Sequence, residues 1–344
     1  MKNWVVLIFV WSSALSVKAQ KTAVHEFSAY AEMYSAHSFL GTKSSPNFLV
    51  SYTSRNKLSV NLMMLKYSTD GANWKRKRPL KFNFALMTGS YALQNLRNEN
   101  PAYRNIYEAN VGLKLRKNDL LEMGVLPSHI GLETATGMES WAATRSIVAD
   151  NSPYYESGIR YSTTFMSNKI KANLNVLNGW QNITPRRFNQ VGIGHQIQYI
   201  GKRLTLNSSS YFGKFDRQNR LFHNAYAQWQ INPKWGIVLG LDQAIQWSKR
   251  DSIKRKNFQY YAPLVLLQYS VNDKWKLCAR YELFKDPHIL LNESSLKSVV
   301  GYSFNADYRY SANFWLRAEC RLFQEHFSSK IQTGYATIAV CAKI

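Results

Sequence analysis

Residues 106–116 read IYEANVGLKLR, and their alternation decides the fold. Tyr107, Ala109, Val111, Leu113 and Leu115 fall on one face of an extended chain. Glu108, Asn110, Gly112, Lys114 and Arg116 fall on the other. A helix would mix the two sets; a strand separates them, because its side chains point alternately to opposite sides. The same period recurs at 275–283, where Trp275, Leu277, Ala279, Tyr281 and Leu283 oppose Lys276, Arg280 and Glu282. It returns at 314–322, with Phe314, Leu316, Ala318 and Leu322 against Arg317, Glu319 and Arg321, and in Leu80, Phe82, Phe84 and Leu86 against Lys81 and Asn83.

The alternation predicts about sixteen strands, near 25–36, 55–67, 78–93, 106–116, 119–126, 153–166, 170–178, 189–200, 203–213, 220–231, 235–247, 257–271, 275–284, 296–309, 313–323 and 332–344. Connections at 117–118, 167–169, 201–202, 232–234, 272–274 and 310–312 are very short. Between them lie longer ones at 94–105, 127–152, 179–188, 248–256 and 285–295. That rhythm suits a transmembrane antiparallel up-and-down β-barrel with one trimmed rim and one elaborated rim, and an even count puts both termini on the short-turn side. The connection at 68–77 is longer than its place in the series predicts. Trp229, Trp235 and Trp275 take outward parity near the short turns and Trp247 near the other rim, where indole rings would mark an aromatic girdle at each lipid interface. Trp315 takes inward parity. A soluble sandwich or propeller also has many short strands, but it needs no aromatics at strand ends, and no blade repeat is found.

Composition agrees with a barrel. Aromatics are 14% of the residues, with 21 Tyr, 17 Phe and 10 Trp, although mean hydropathy is only −0.34. Alternating lipid-facing and lumen-facing residues cancel in any such average. At the N-terminus Lys2, the apolar run from Trp4 to Trp11, and Ser16-Val17-Lys18-Ala19 read as an export signal at 1–19, cleaved after Ala19 and followed by the barrel at 20–344. The run is too short for a membrane anchor, which takes about 17–25 apolar residues. Loss of Lys2 and Lys18 lowers the formal net charge from +23 to +21. Such a charge suits nucleic acid, an anionic membrane surface or an anion pathway, and export ranks nucleic acid last. Cys278, Cys320 and Cys341 form no metal or disulfide pattern, and parity sends Cys320 and Cys341 to opposite faces.

Four segments carry a family likeness: SRNKLSVNLMMLKY at 54–67, YRNIYEANVGLKL at 103–115, GVLPSHIGLETATGMESWAATRSIVADNSPYYESGIRYS at 124–162 and VLNGWQNI at 176–183. As an ordered set they resemble the β-barrel porin family of the OmpL-like type. The resemblance spans residues 26 to 183, with only strand-and-turn character beyond. It implies an outer-membrane barrel of a Gram-negative envelope and a porin, and it transfers no substrate and no catalytic residue.

No catalytic residue, metal site or cofactor is expected. The seven histidines lack ligand spacing. A Ser–His pair could form between His195 and a serine among 208–210, though a barrel rich in serine offers many such pairs by chance. Lys81, Lys114, Arg116, Arg160, Lys171, Lys276, Arg280, Lys297, Arg317 and Arg321 take lumen parity, as do Glu108, Glu122, Glu156, Glu282, Glu319 and Asp307. Two arrangements fit: a water-filled channel whose wall carries excess positive charge, or a plugged barrel whose charges pair off. A barrel of about sixteen strands is wide enough for the former.

The expected function is passive diffusion of small hydrophilic solutes with anions favoured, an expectation that charge reversal at Arg280 and Arg317 would test. The alternative is a non-conducting barrel, either an adhesion or interaction scaffold or an embedded lipid-modifying enzyme. Expected partners are outer-membrane lipid, including lipopolysaccharide, and the solutes. The basic cluster Lys249, Arg250, Lys254, Arg255 and Lys256 would meet lipid headgroups or solvent on the long-loop side, and Lys75 to Arg78 lie on the opposite rim. The connection at 127–152 holds Ile130, Leu132, Met138, Trp141, Ile147 and Val148, too much apolar surface for a solvated loop. It is expected to fold into the barrel, with a short helix over 139–149 and with Glu133, Glu139 and Arg145 as constriction charges. A lid on the rim or an extra strand pair is the competing arrangement.

Overall fold

The computed structural model describes residues 24–41, 45–46, 48–70, 80–184, 191–215, 218–247, 258–288, 290, 297–325, 328 and 330–344. The expected export signal at 1–19 and both basic clusters, at 75–78 and 249–256, lie outside the described residues.

Sixteen strands form a closed antiparallel up-and-down barrel. They are β1 (Val24–Leu40), β2 (Leu58–Asp70), β3 (Leu80–Thr88), β4 (Ile106–Lys114), β5 (Asp119–Pro127), β6 (Tyr155–Phe165), β7 (Ile170–Leu177) and β8 (Gly192–Ile200), then β9 (Leu204–Phe215), β10 (Gln218–Gln230), β11 (Trp235–Trp247), β12 (Phe258–Ser270), β13 (Trp275–Lys285), β14 (Ser298–Ser311), β15 (Phe314–Glu325) and β16 (Thr333–Lys343). Each strand pairs with its sequence neighbours, and β1 closes on β16 with Tyr34 opposite Ala339. Closure removes the two open edges that a flat sheet would present to lipid.

The alternation has a direct physical expression. Along β3, Leu80, Phe82, Phe84 and Leu86 stand exposed on the outer wall while Asn83, Ala85 and Met87 are buried inside. Outward apolar side chains are what a bilayer covers. At the short turns, Asn232 Oδ1 accepts from the backbone of Lys234 and Trp235, and Asn272 Oδ1 from that of Lys274 and Trp275. These side-chain caps mimic a backbone turn, so each Asn reverses the chain in a few residues. Just beyond them Trp235 packs on Tyr269 and Trp275 on Tyr308, with Trp229 exposed beside them. Trp247 stacks on Phe212 at the other rim. Gly124 takes φ +134°, and a Cβ there would lie 2.2 Å from the Ala109 carbonyl oxygen, so only glycine lets β5 approach β4 at that corner.

Two expectations about local structure are corrected. The strand expected over 78–93 ends at Thr88, and Ser90–Asn95 form a short helix, α1. Gly89 (φ +114°) turns the chain inward, and Tyr91, Ala92 and Leu96 bury against Leu62, Met87, Met138 and Tyr155. The helix expected over 139–149 shrinks to a 3-10 turn at Gly137–Glu139 and one turn at Ile147–Asp150, α2, because the backbone between them bonds elsewhere.

Candidate functional site

The lumen is the candidate site, and residues 128–154 occupy much of it. Ile130, Ala142, Ile147 and Val148 join a buried apolar cluster with Phe48, Leu49, Phe222, Val238, Tyr260, Phe284, Phe323 and Tyr335. Met138 and Ala135 join a second cluster with Tyr30, Met87 and Tyr91. Trp141 reaches toward the short-turn rim, where a Cβ on Gly236 would lie 2.7 Å from its ring.

Polar bonds fix the segment to the wall. The backbone N–H of Ala143 donates to Asn305 Oδ1 at 3.0 Å, that of Thr144 to Glu319 at 2.6 Å, and that of Ile147 to Glu282 at 2.6 Å. These amides therefore cannot make the i→i−4 bonds of the expected helix. Arg280 donates to the Thr144 carbonyl at 2.8 Å, Arg321 to that of Arg145 at 2.9 Å, and Arg317 to those of Gly137 and Ser140. The same guanidiniums pair with wall carboxylates: Arg280 with Glu319 at 2.7 Å, Arg317 with Asp307 at 2.7 Å and Arg321 with Glu282 at 2.6 Å. A charge this deeply buried persists only when paired and hydrogen-bonded.

At the entry to the segment, His129 Nδ1 lies 2.8 Å from Glu156, which also accepts from Ser128 and Arg160. Asp150 accepts from the backbone of Val50 and Ser51 and from the Ser51 hydroxyl, tying in the inward-folded residues around Phe48 and Leu49. Glu32, also buried, accepts from Tyr30, Tyr52 and Asn61. Sequence reasoning missed Glu32, Asp150 and the inward fold near Phe48, although Phe48-Leu49-Val50 is the same apolar signal that marked 127–152. It also missed Arg220, buried between Phe215 and Trp180 with its charge 3.7 Å from the first ring.

The residues expected to line the pore fall into distinct groups. Arg280, Arg317 and Arg321 face inward but lie under the segment, which corrects their reading as water-exposed wall charges. Arg160 is held by Asn175, Glu156 and the Pro127 carbonyl. Arg116 stands at the short-turn rim, its side chain 86% exposed, and Lys297 is exposed just before β14. Neither belongs to the strand wall. Lys171 and Lys276 keep lumen positions near the short-turn end.

Lys81 and Lys114 line a cavity of about 920 Å³ at that same end, with Lys66, Lys117, Glu26, Asp119, Ser162 and Thr164. Lys66 pairs with Glu108 at 2.9 Å and Lys81 with Glu122 at 3.4 Å, each lysine side chain one-third exposed. Of the expected constriction charges, Glu139 is exposed and accepts from Thr134. Glu133 and Arg145 are shut away instead: Glu133 accepts from Ser146, and Arg145 lies over the Tyr154 ring. They stabilise the segment's own fold, which corrects their placement as lining charges.

Ser210 Oγ and His195 Nδ1 do approach, at 2.7 Å, but on the outer wall in a groove with Ile193, Leu174 and Phe212. Among the described residues, no group of three His, Cys, Asp or Glu is arranged to hold a metal ion. Cys320 is exposed on the outer wall, and Cys278 and Cys341 are buried inside.

A family model described as "Putative beta-barrel porin-2, OmpL-like" matches residues 25–340. The chain belongs to this family. No curated protein matches the chain. The solved structures that resemble this OmpL-like barrel include the outer membrane channel DcaP of Acinetobacter baumannii, with TM-score 0.66, 10% identity, and 95% of this chain and 99% of that chain covered. Salmonella typhi OmpF gives TM-score 0.62 at 11% identity, covering 94% and 100%. The anion-selective porin from Comamonas acidovorans gives 0.59 at 11%, covering 94% and 100%. At such identities the likeness is one of fold. Family and fold together make this OmpL-like protein a porin-like barrel of the Gram-negative outer membrane.

Proposed function

We propose that this barrel passes small hydrophilic solutes by passive diffusion and favours anions. The observation that carries the reading is the cavity at the short-turn end, lined by Lys66, Lys81, Lys114 and Lys117 with Glu26 and Asp119, where Lys66 and Lys81 are paired with Glu108 and Glu122 and Lys114 has no ion-pair partner among the described residues. Low-dielectric walls around excess charge of one sign concentrate counter-ions of the other. Residues 128–154 then set the width of the path, with Glu139 as the charge left exposed on that segment. An export signal at 1–19 and contact of the rims with lipid headgroups, including lipopolysaccharide, complete the proposal.

The buried clusters between residues 128–154 and the wall favour a second reading, a non-conducting barrel that serves as an interaction scaffold. An embedded enzyme has less support, since the Ser210–His195 pair has no carboxylate partner among the described residues. Planar-bilayer recording of the purified protein separates the two main readings. Stepwise conductance with a reversal potential of anion sign supports the channel, and silence supports the scaffold.

A further inference from the structure

A one-directional chain of side-chain hydrogen bonds crosses the lumen wall from β6 to β11. Arg160 Nε donates to Asn175 Oδ1 at 2.8 Å, Asn175 Nδ2 to Asn173 Oδ1 at 2.7 Å, and Asn173 Nδ2 to Gln196 Oε1 at 2.9 Å. Gln196 Nε2 donates to Asn207 Oδ1 at 2.8 Å, Asn207 Nδ2 to Asn224 Oδ1 at 3.1 Å, and Asn224 Nδ2 to Asp242 Oδ1. A guanidinium only donates, and Asp242 Oδ1 accepts at the far end, so the two ends orient every amide between them.

Asn175, Asn207 and Asn224 are buried, whereas Asn173 and Gln196 are half-buried at the lumen surface. Each of these two spends one N–H and one lone pair on the chain and keeps one of each to offer. Beside them Gln198 donates to the Tyr226 hydroxyl at 2.6 Å, both half-buried. Ser162, opposite Asn173 across β6 and β7, leads from this sector into the lysine-lined cavity.

We propose that this amide sector is a binding track for neutral polyhydroxylated solutes of the saccharide class, an inference that rests on the channel reading above. Donors and acceptors recur here at the strand spacing of about 4.8 Å. Each hydroxyl both donates and accepts, so a saccharide answers both halves of each exposed amide. An ionised carboxylate solute only accepts and leaves the amide oxygens unanswered. The oriented chain holds these groups in place before the solute arrives, which lowers the cost of ordering them on binding.

The test is block of ion current by maltotriose in planar bilayers, with the wild-type protein, the double variant Asn173→Leu/Gln196→Leu, and Gln198→Leu, which leaves the chain from Arg160 to Asp242 intact. Saturable block is expected in the wild type. Its half-blocking concentration should rise about tenfold in the double variant, the loss of about 1.4 kcal/mol, and by less in Gln198→Leu, with ion selectivity unchanged. A conducting wild type without saturable block, or block equal in all three proteins, overturns the track. If no preparation conducts, the channel reading fails by itself, and calorimetric titration of detergent-solubilised protein with maltotriose then decides the track. Binding weakened in the variants supports it, and no binding overturns it.

Discussion

Arg317 and Asp307 form a two-pronged ion pair between β15 and β14, Nε to Oδ1 at 2.7 Å and Nη2 to Oδ2 at 2.9 Å, with both side chains shut from water. Held this way, the guanidinium turns its remaining donors on the carbonyls of Gly137 and Ser140. The pair is therefore a clamp on the inward-folded segment. Replacing Arg317 with Ala strands the Asp307 charge and should cost about 3–5 kcal/mol, the usual result of breaking a buried pair from one side. Urea unfolding measures the loss, and limited proteolysis within 128–154 measures release of the segment. Wild-type stability with undiminished protection would rule out the clamp.

Deleting residues 132–148 removes the lumen-filling segment together with the carbonyls that cap Arg280 and Arg321. If the segment narrows a conducting path, single-channel conductance should increase severalfold. A correctly folded deletion variant with unchanged conductance would show that solutes pass elsewhere.

Charge reversal at Arg280 and Arg317 would not test selectivity, because both are buried under residues 137–145. Lys114 is the better probe. It lines the cavity at the short-turn end and, among the described residues, has no ion-pair partner, unlike Lys66 and Lys81. In a salt gradient the wild-type reversal potential should show anion preference, and Lys114→Glu should move it toward zero. The preference should fade at high salt, as the screening length drops from about 10 Å at 0.1 M to about 3 Å at 1 M. Cation preference in the wild type would refute the anion reading.

Export leaves its own signature. With Val17 and Ala19 at the recognition positions, protein recovered from outer membranes should begin at Gln20. Mass spectrometry of the N-terminal peptide decides this, and an intact Met1 would refute cleavage.

The strand count, the closed barrel and the two faces of regularly alternating strands such as β3, β4 and β13 could be read from the sequence. Each rests on a local property, period-two alternation between short turns, and Glu108 and Val111 differ in fate simply because they differ in parity. Which lumen residues meet water could not be read this way. Parity places Lys114 and Arg317 alike on the inner face, yet one lines a cavity and the other is buried. The difference comes from contacts between residues more than a hundred and thirty positions apart, such as Ile147 with Glu282 and Gly137 with Arg317. Composition placed 127–152 inside the barrel, because its apolar side chains need burial, but local propensity suggested a helix there. Wall carboxylates and Asn305 claimed the amide hydrogens that the helix required, and those partners come within reach only once the barrel has closed.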